Sequence, residues 1–342
     1  MARLWPEHRG SMLDPSVFLS SIDASAWIPR IIIVGTPDRM TGAAYFKERR
    51  ISRFGAGLLY GDATISPLVL ADPPNRKRVL RIALQALLSR RSIWGLRILV
   101  PPDSYELDAI RETSARLGAG LNYGPAENHW TLPLPRDYQA FLGNLGPRTR
   151  RNFRYYRRRF EQSGHTYVRG IEPTEFAAAA SEFLKKSVVG ADVEGIRRAL
   201  QVFSVIKRPL LAGLRHRDGR WLSILGGWRQ SHDGIVFFQM NDDKENAASS
   251  LSVVMRAYLI EELISERVQA LHFWGGIGDP VRRSCLPVPA MKAFLDKRSL
   301  LSSGIRTLLL AGSRLFPTRL RAMTEWIAWN HKETDRAHGA DA

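Results

Sequence analysis

Between Pro209 and Trp274 three apolar runs are separated by Asp-Gly steps, and one long apolar stretch and one further run follow them. The runs are Pro209–Arg215, Trp221–Arg229 and Gly234–Met240. Arg217-Asp218-Gly219 and His232-Asp233-Gly234 mark the turns, because Asp-Gly tolerates the positive φ that tight hairpins need. Three strands joined this way fold as an antiparallel meander. A small polar loop, Asn241 to Ser250, is expected to lead into a helix from about Leu251 to Arg267. Ala270–Trp274 is then expected to return as a strand. A strand feeding a helix through small residues offers free backbone N–H groups to a pyrophosphate.

Upstream the periodicity alternates between strand and helix. Arg30–Val34, Gly57–Tyr60 and Thr64–Leu70 read as strands. Pro73 and Pro74 open a helix running to about Arg90, with apolar residues at 79, 80, 83, 84, 87 and 88 in helical spacing. Leu96–Val100 and His129–Leu132 read as strands around a helix, Tyr105–Leu117, that stops at Gly118. Two more helices, about Pro173–Val188 and Val193–Ile206, precede the meander. The sequence therefore predicts an α/β protein with two lobes, 25–144 and 145–297, each a mixed, mostly antiparallel sheet flanked by helices. Residues 298–342 are expected to form a basic helical tail ending in disorder. Its Trp326-Ile327-Ala328-Trp329 run would suit peripheral contact with an anionic membrane surface.

The formal charge is +17, from 50 Lys and Arg against 33 Asp and Glu. Most of these cations are arginine, whose planar fork grips phosphate and carboxylate, so an anionic partner is expected. One cysteine, Cys285, excludes an intrachain disulfide framework and a cysteine-rich zinc site. No run approaches a membrane span, and the reading is a cytoplasmic protein. A Gly-x-Ser-x-Gly elbow, a Walker loop, a His-Glu-x-x-His pair and a dinucleotide fingerprint are all missing, and no metal is expected.

The sharpest local feature is Gly146-Pro147-Arg148-Thr149-Arg150-Arg151-Asn152-Phe153-Arg154-Tyr155-Tyr156-Arg157-Arg158-Arg159-Phe160. On a helix, Phe153, Tyr156 and Phe160 form one apolar stripe. Arg150, Arg151, Arg154, Arg157 and Arg158 fall together on an arc of about 120°, roughly opposite. Packing of the stripe would hold Arg150, Arg154, Arg157 and Arg158 outward as an anion-binding row, for a phosphate, an acidic polymer or RNA.

The segment Phe141 to Arg154, with the strand, helices and meander that follow, resembles the acetyltransferase domain of CelD-type cellulose-biosynthesis proteins. That domain belongs to the GNAT superfamily and is similar to the Fem-type peptidyltransferases, which carry two tandem GNAT folds. The likeness covers Ile31 to Leu295 and is strongest from Leu145 to Gly278. It implies transfer of an acyl group, typically acetyl, from acyl-CoA to an amine by direct attack on the thioester. The implied acceptor is an amine on a saccharide or anionic glycan precursor, in exopolysaccharide or envelope metabolism. The Fem-type likeness implies an aminoacyl-tRNA donor instead, and a third reading is a catalytically degenerate basic scaffold. This chain departs from the family pattern at Ala248-Ser249-Ser250-Leu251-Ser252, His272-Phe273-Trp274-Gly275-Gly276 and Pro280-Val281-Arg282-Arg283.

For that chemistry the backbone of Ser249, Ser250, Leu251 and Ser252 would hold the CoA pyrophosphate. Asp243, with Asp242 and Glu245 beside it, and His272 are candidate bases. Tyr258 is the candidate proton donor to the leaving thiolate. Gly275-Gly276-Ile277-Gly278 would permit close approach of a ligand. Cys285 has no positioned histidine and is set aside as a nucleophile.

Overall fold

The computed structural model describes residues 8–36, 39–50, 57–64, 66–126, 129–186, 193–274 and 281–297. The tail from 298 onward and the glycine run 275–278 lie outside them. In chain order the elements are α1 (Pro15–Ser20), β1 (Ile28–Gly35), β2 (Met40–Arg50), β3 (Gly57–Asp62), β4 (Val69–Ala71), α2 (Arg76–Leu88), β5 (Ile93–Val100) and α3 (Tyr105–Leu117). There follow β6 (Gly120–Pro125), β7 (His129–Pro133), α4 (Tyr138–Asn144), α5 (Pro147–Gln162), β8 (Thr166–Arg169), α6 (Pro173–Lys186) and α7 (Val193–Val205). The chain continues through β9 (Pro209–Arg215), β10 (Trp221–Gln230), β11 (Asp233–Asn241), α8 (Asp243–Ser249), α9 (Leu251–Ser265), β12 (Ala270–Phe273), β13 (Leu286–Val288) and β14 (Met291–Asp296).

Two mixed sheets result, each flanked by helices. The first runs β1-β2-β3-β5-β14-β6, with β4 also on β2; the second runs β13-β7-β12-β11-β10-β9-β8. Each holds one parallel pairing, β3/β5 and β11/β12, among antiparallel ones. Sheet membership crosses the chain's midpoint. β7 precedes the second sheet's other strands by more than thirty residues yet pairs with β12 and β13, and β14 returns to lie between β5 and β6.

Local chemistry explains most elements. In α2 the periodic residues Val79, Leu80, Ala83, Leu84, Leu87 and Leu88 are all buried. Helix α3 begins where Ser104 accepts the Leu107 N–H and stops at Gly118 in the left-handed region. In the β9–β10 connection Gly219 carries a positive φ of 95°.

Elsewhere the structure corrects the sequence reading. The β10–β11 turn is Ser231-His232, with the positive φ on Ser231, and Asp233 already pairs with Gln230. The polar loop expected at 241–250 folds as α8, because Asp242 caps it by accepting the Glu245 N–H. Of the strand expected at Thr64–Leu70 only Val69–Ala71 forms, since the Asp62 carboxylate accepts both the Thr64 N–H and its hydroxyl and bends the chain. Strand β2 was not anticipated; Gly42-Ala43-Ala44 has little strand propensity of its own and is ordered by pairing with β1 and β4.

Helices α4, α5 and α9 cover one face of the second sheet, and α6 and α7 the other. Helices α2 and α3 pack on the first sheet. Between the sheets lies α1: Val17 joins the α6–α7 core while Leu13 and Phe18 pack with Ala43, Tyr45 and Leu70 of the first sheet.

Candidate active site between the two sheets

Strands β11 and β12 pair in parallel for four residues, 233–236 with 270–273, and the Trp274 N–H still reaches the Val236 carbonyl at 3.0 Å. β11 then runs on to Asn241, and among the described residues no strand pairs with that edge, so the pairing forks there. A bulge in β10–β11, where Gly227 faces Val236 and Gly226 faces Phe238, leaves Phe237 without a cross-strand partner, and its ring packs against Trp274. Any side chain at 227 would collide with the Ile235 carbonyl oxygen. Trp274 sits at the fork, with ring centroids 5.7 Å from both Trp228 and Phe237 and 6.5 Å from His129.

Trp274 also walls a pocket of about 210 Å³ between the sheets, shared with Met12, Tyr45, Lys47, Tyr60 and Asp62. Alternation along β2 aims Tyr45 and Lys47 at this seam while Phe46 joins the α2–α3 core. Lys47 makes no ion pair among the described residues. Burial pushes its ammonium below the usual lysine range, Arg198 adds to that, and Asp62 opposes it. Across the seam, His129 of β7 places Nε2 4.0 Å from an Asp62 carboxylate oxygen. That nitrogen is buried and has no hydrogen-bond partner among the described residues. A cation, a carboxylate and an imidazole with one idle nitrogen therefore meet beside the fork. Sequence reasoning named none of these residues. The available signal was the lysine inside the run Ala44-Tyr45-Phe46-Lys47, but it carries meaning only once β2 is recognised as a strand.

The residues named from sequence lie elsewhere. At the start of α9 the Asn246 carbonyl accepts the Ser250 N–H and its side-chain oxygen accepts the Ser252 N–H. Val253 donates to the Ser250 carbonyl. The amide row over Ser249, Ser250, Leu251 and Ser252 is thus largely closed by its own chain. As it stands, it does not fit the pyrophosphate of CoA. Asp243 opens α8, and its side chain lies outside the described residues. Asp242 and Glu245 are both held by Arg220. His272 contacts Thr131 Oγ1 at 2.8 Å through Nδ1 and Asp233 at 3.3 Å through Nε2, which engages both ring nitrogens at the paired end of the strands. Tyr258 donates to Glu161 at 2.7 Å and stacks on Tyr167, and burial followed by Glu161 raises its pKa well beyond the usual phenol range. Cys285 is buried, which pushes its thiol up to about 11.

The arginine row divides. Arg150 donates to the Gly143 and Leu145 carbonyls and so caps the end of α4. Arg157 is bracketed by Glu161 at 3.1 Å and Glu261 at 2.7 Å, with its guanidinium over the Tyr258 ring. Arg154 and Arg158 stay exposed, with Arg151 beside them. Phe153 and Phe160 are buried as the stripe requires.

No protein-family model and no curated protein sequence matches this chain. Solved structures do match it. FemX superposes with a TM-score of 0.60 at 11% identity, over 83% of this chain and 92% of its own. L-PGS from Bacillus licheniformis gives 0.51 at 12% identity, over 81% and 87%. The C-terminal domain of a putative lysylphosphatidylglycerol synthetase from Agrobacterium fabrum gives 0.52 at 10% identity, over 89% and 93%. With its meander, its long following helix and its forked parallel strands, the chain has the two-lobed GNAT-like fold.

Proposed function

We propose that this protein transfers an aminoacyl group from an aminoacyl-tRNA to an amine, with the chemistry at the fork of β11 and β12. The observation that carries the reading is that fork, beside a pocket lined by Lys47 and Asp62, with His129 reaching Asp62 from β7. The amine nitrogen attacks the ester carbonyl carbon, the carbon–oxygen bond to the ribose breaks, and the amine proton ends on the leaving ribose oxygen. His129 Nε2 takes that proton and returns it, while Asp62 stabilises the imidazolium between the two transfers. Lys47 faces the oxygen on which negative charge develops. Trp228, Phe237 and Trp274 wall the slot and exclude water, so the ester is not hydrolysed.

Two features support RNA as the carrier. The amides at the start of α9 are engaged within the chain, and the exposed arginines of α5 offer a row for a phosphate backbone. The neighbouring folds include FemX and L-PGS. An amine on a saccharide or anionic glycan precursor, as the CelD-type resemblance implies, suits a pocket containing Lys47. A CoA thioester is the second reading. It is favoured by the edge of β11 at 237–241, unpaired among the described residues, which can hydrogen-bond the amides of a pantetheine arm as an added strand would.

One assay separates these readings. The full chain is incubated with a panel of amines and amino sugars, and with either radiolabelled aminoacyl-tRNA or radiolabelled acetyl-CoA. Label moving from tRNA to the amine is expected. Label arriving only from acetyl-CoA would establish the second reading, and transfer from neither would remove the transferase assignment.

A further inference from the structure

A second cavity, of about 420 Å³, is bounded by the segment 8–13, by Ser66 and Pro67, and by residues at the start of β9 and the end of β10. Its charged lining has a single sign. Arg9, Arg76, Lys207, Arg208 and Arg229 contribute to it, and neither Asp nor Glu does. Asp14 is held by the Gly10 and Ser16 N–H groups and the Ser16 hydroxyl, and Glu266 pairs with Arg229, which balances one of the five lining cations and leaves four. Lys207, Arg208 and Arg9 make no ion pair among the described residues. Like charges crowd here; burial and then Arg208 lower the pKa of Arg229.

The wall also contains an unmet donor. Trp228 lines the cavity, is 3% exposed, and its buried indole N–H has no acceptor among the described residues. A buried donor without an acceptor costs stability, and so does crowding of like charges in a concavity. One occupant relieves both: an anion with several acceptor oxygens. A single carboxylate supplies one charge against the four lining cations left after Arg229 is paired, whereas a diphosphate supplies two or three and presents oxygens to several arginine forks at once.

We propose that this cavity is a binding site for phosphate-type oxyanions, best matched by a diphosphate or a phosphate ester whose substituent fills the remaining volume. The cavity adjoins the transfer fork, sharing Met12, Ser66 and Pro67 with the Lys47 pocket and Trp228 with the slot wall, but its cations are other residues and the inference does not rest on the transferase reading. The same chemistry has two sources, a free diphosphate and an anionic lipid headgroup.

The test uses the full chain with inorganic pyrophosphate in one arm and phosphatidylglycerol vesicles in the other. Lys207→Gln/Arg208→Gln is the cavity variant, and Lys185→Gln/Lys186→Gln on α6 is the control. Both pairs are exposed, so folding is expected to survive, and a thermal melt checks this. Binding of the wild type to either probe is expected to weaken about tenfold for each charge-assisted hydrogen bond lost in the cavity variant. The α6 variant should bind as the wild type does. The Trp228 indole N–H resonance, assigned by its disappearance in Trp228→Phe, should shift on titration with the probe that binds. Loss of pyrophosphate binding identifies a soluble ligand, and loss of vesicle binding alone identifies a headgroup. Wild-type protein that binds neither probe overturns the proposal. So does a cavity variant that binds like the wild type, or an α6 variant that loses the same affinity.

Discussion

His129 and Lys47 differ from the other charged residues of the seam in having no committed partner, and that difference is testable. His129 Nε2 is buried beside Asp62 without a hydrogen bond among the described residues, so replacing the ring with a smaller polar group breaks no hydrogen bond there. Replacing His129 with Asn should therefore leave the melting temperature nearly unchanged while lowering the transfer rate roughly 10²- to 10⁴-fold, the usual share of a general base. A matching fall in stability would mean that the imidazole is structural. Lys47 makes the opposite case. A half-buried ammonium without a counter-ion costs stability, so Lys47→Met should stabilise the protein by about 1 kcal/mol while reducing turnover. Denaturant melts and initial rates on one preparation read both effects. A variant that is less stable would show that Lys47 has a partner it cannot lose.

At the scale of elements, α5 separates load from display. Arg157 ties α5 to α9 through Glu161, Glu261 and the Tyr258 ring, whereas Arg154 and Arg158 point to solvent. Arg154→Gln/Arg158→Gln should weaken tRNA binding and lower the slope of log affinity against log salt by about 2, with an unchanged melt. Arg157→Gln should cost about 1–3 kcal/mol, because two carboxylates lose their shared cation. An unaltered salt slope in the double variant would take α5 out of the site. Periodicity alone could place the arginines on one arc but could not sort them. Arg157 lies at the edge of that arc next to Phe153, and only the packing of α9 shows that this edge is buried. The meander was legible because its runs are apolar and its turns chemically marked. Strand β2 was not, since small residues at 42–44 take their conformation from neighbours far away in sequence. The fork lay within reach of the reading, but the cluster next to it did not, because the pocket's lysine and carboxylate and the histidine beside them come from β2, β3 and β7 of two different sheets.

At the scale of the whole molecule the lobes are bound to one another by α1 and by exchange of strands. Tyr45 fixes the first link: its hydroxyl donates to the Leu13 carbonyl at 2.7 Å, and burial followed by Asp14 raises its pKa to about 12. The raised value means that the folded state holds the proton after the unfolded chain has lost it. Stability is then intact below about pH 10 and falls as pH climbs from there toward 12, by about 1.4 kcal/mol per unit. Tyr45→Phe should start less stable at neutral pH, by about 1 kcal/mol for the lost hydrogen bond, and should lose the Tyr45 part of this alkaline fall. Equal alkaline slopes in the two proteins would show that the seam does not depend on this phenol. The strand exchange sets a larger demand. Residues 145–297 expressed alone would lack β7, leaving β12 as a bare edge and β13 without its partner, and would carry β14 without the sheet it completes. Exposed edges of this kind seek other chains. The isolated segment is therefore expected to aggregate, and co-expression with residues 1–144 to return a soluble, co-purifying pair. A soluble 145–297 fragment that melts cooperatively on its own would show that β7 and β14 decorate the lobes rather than hold them together, and the seam would lose its standing as a fixed site for chemistry.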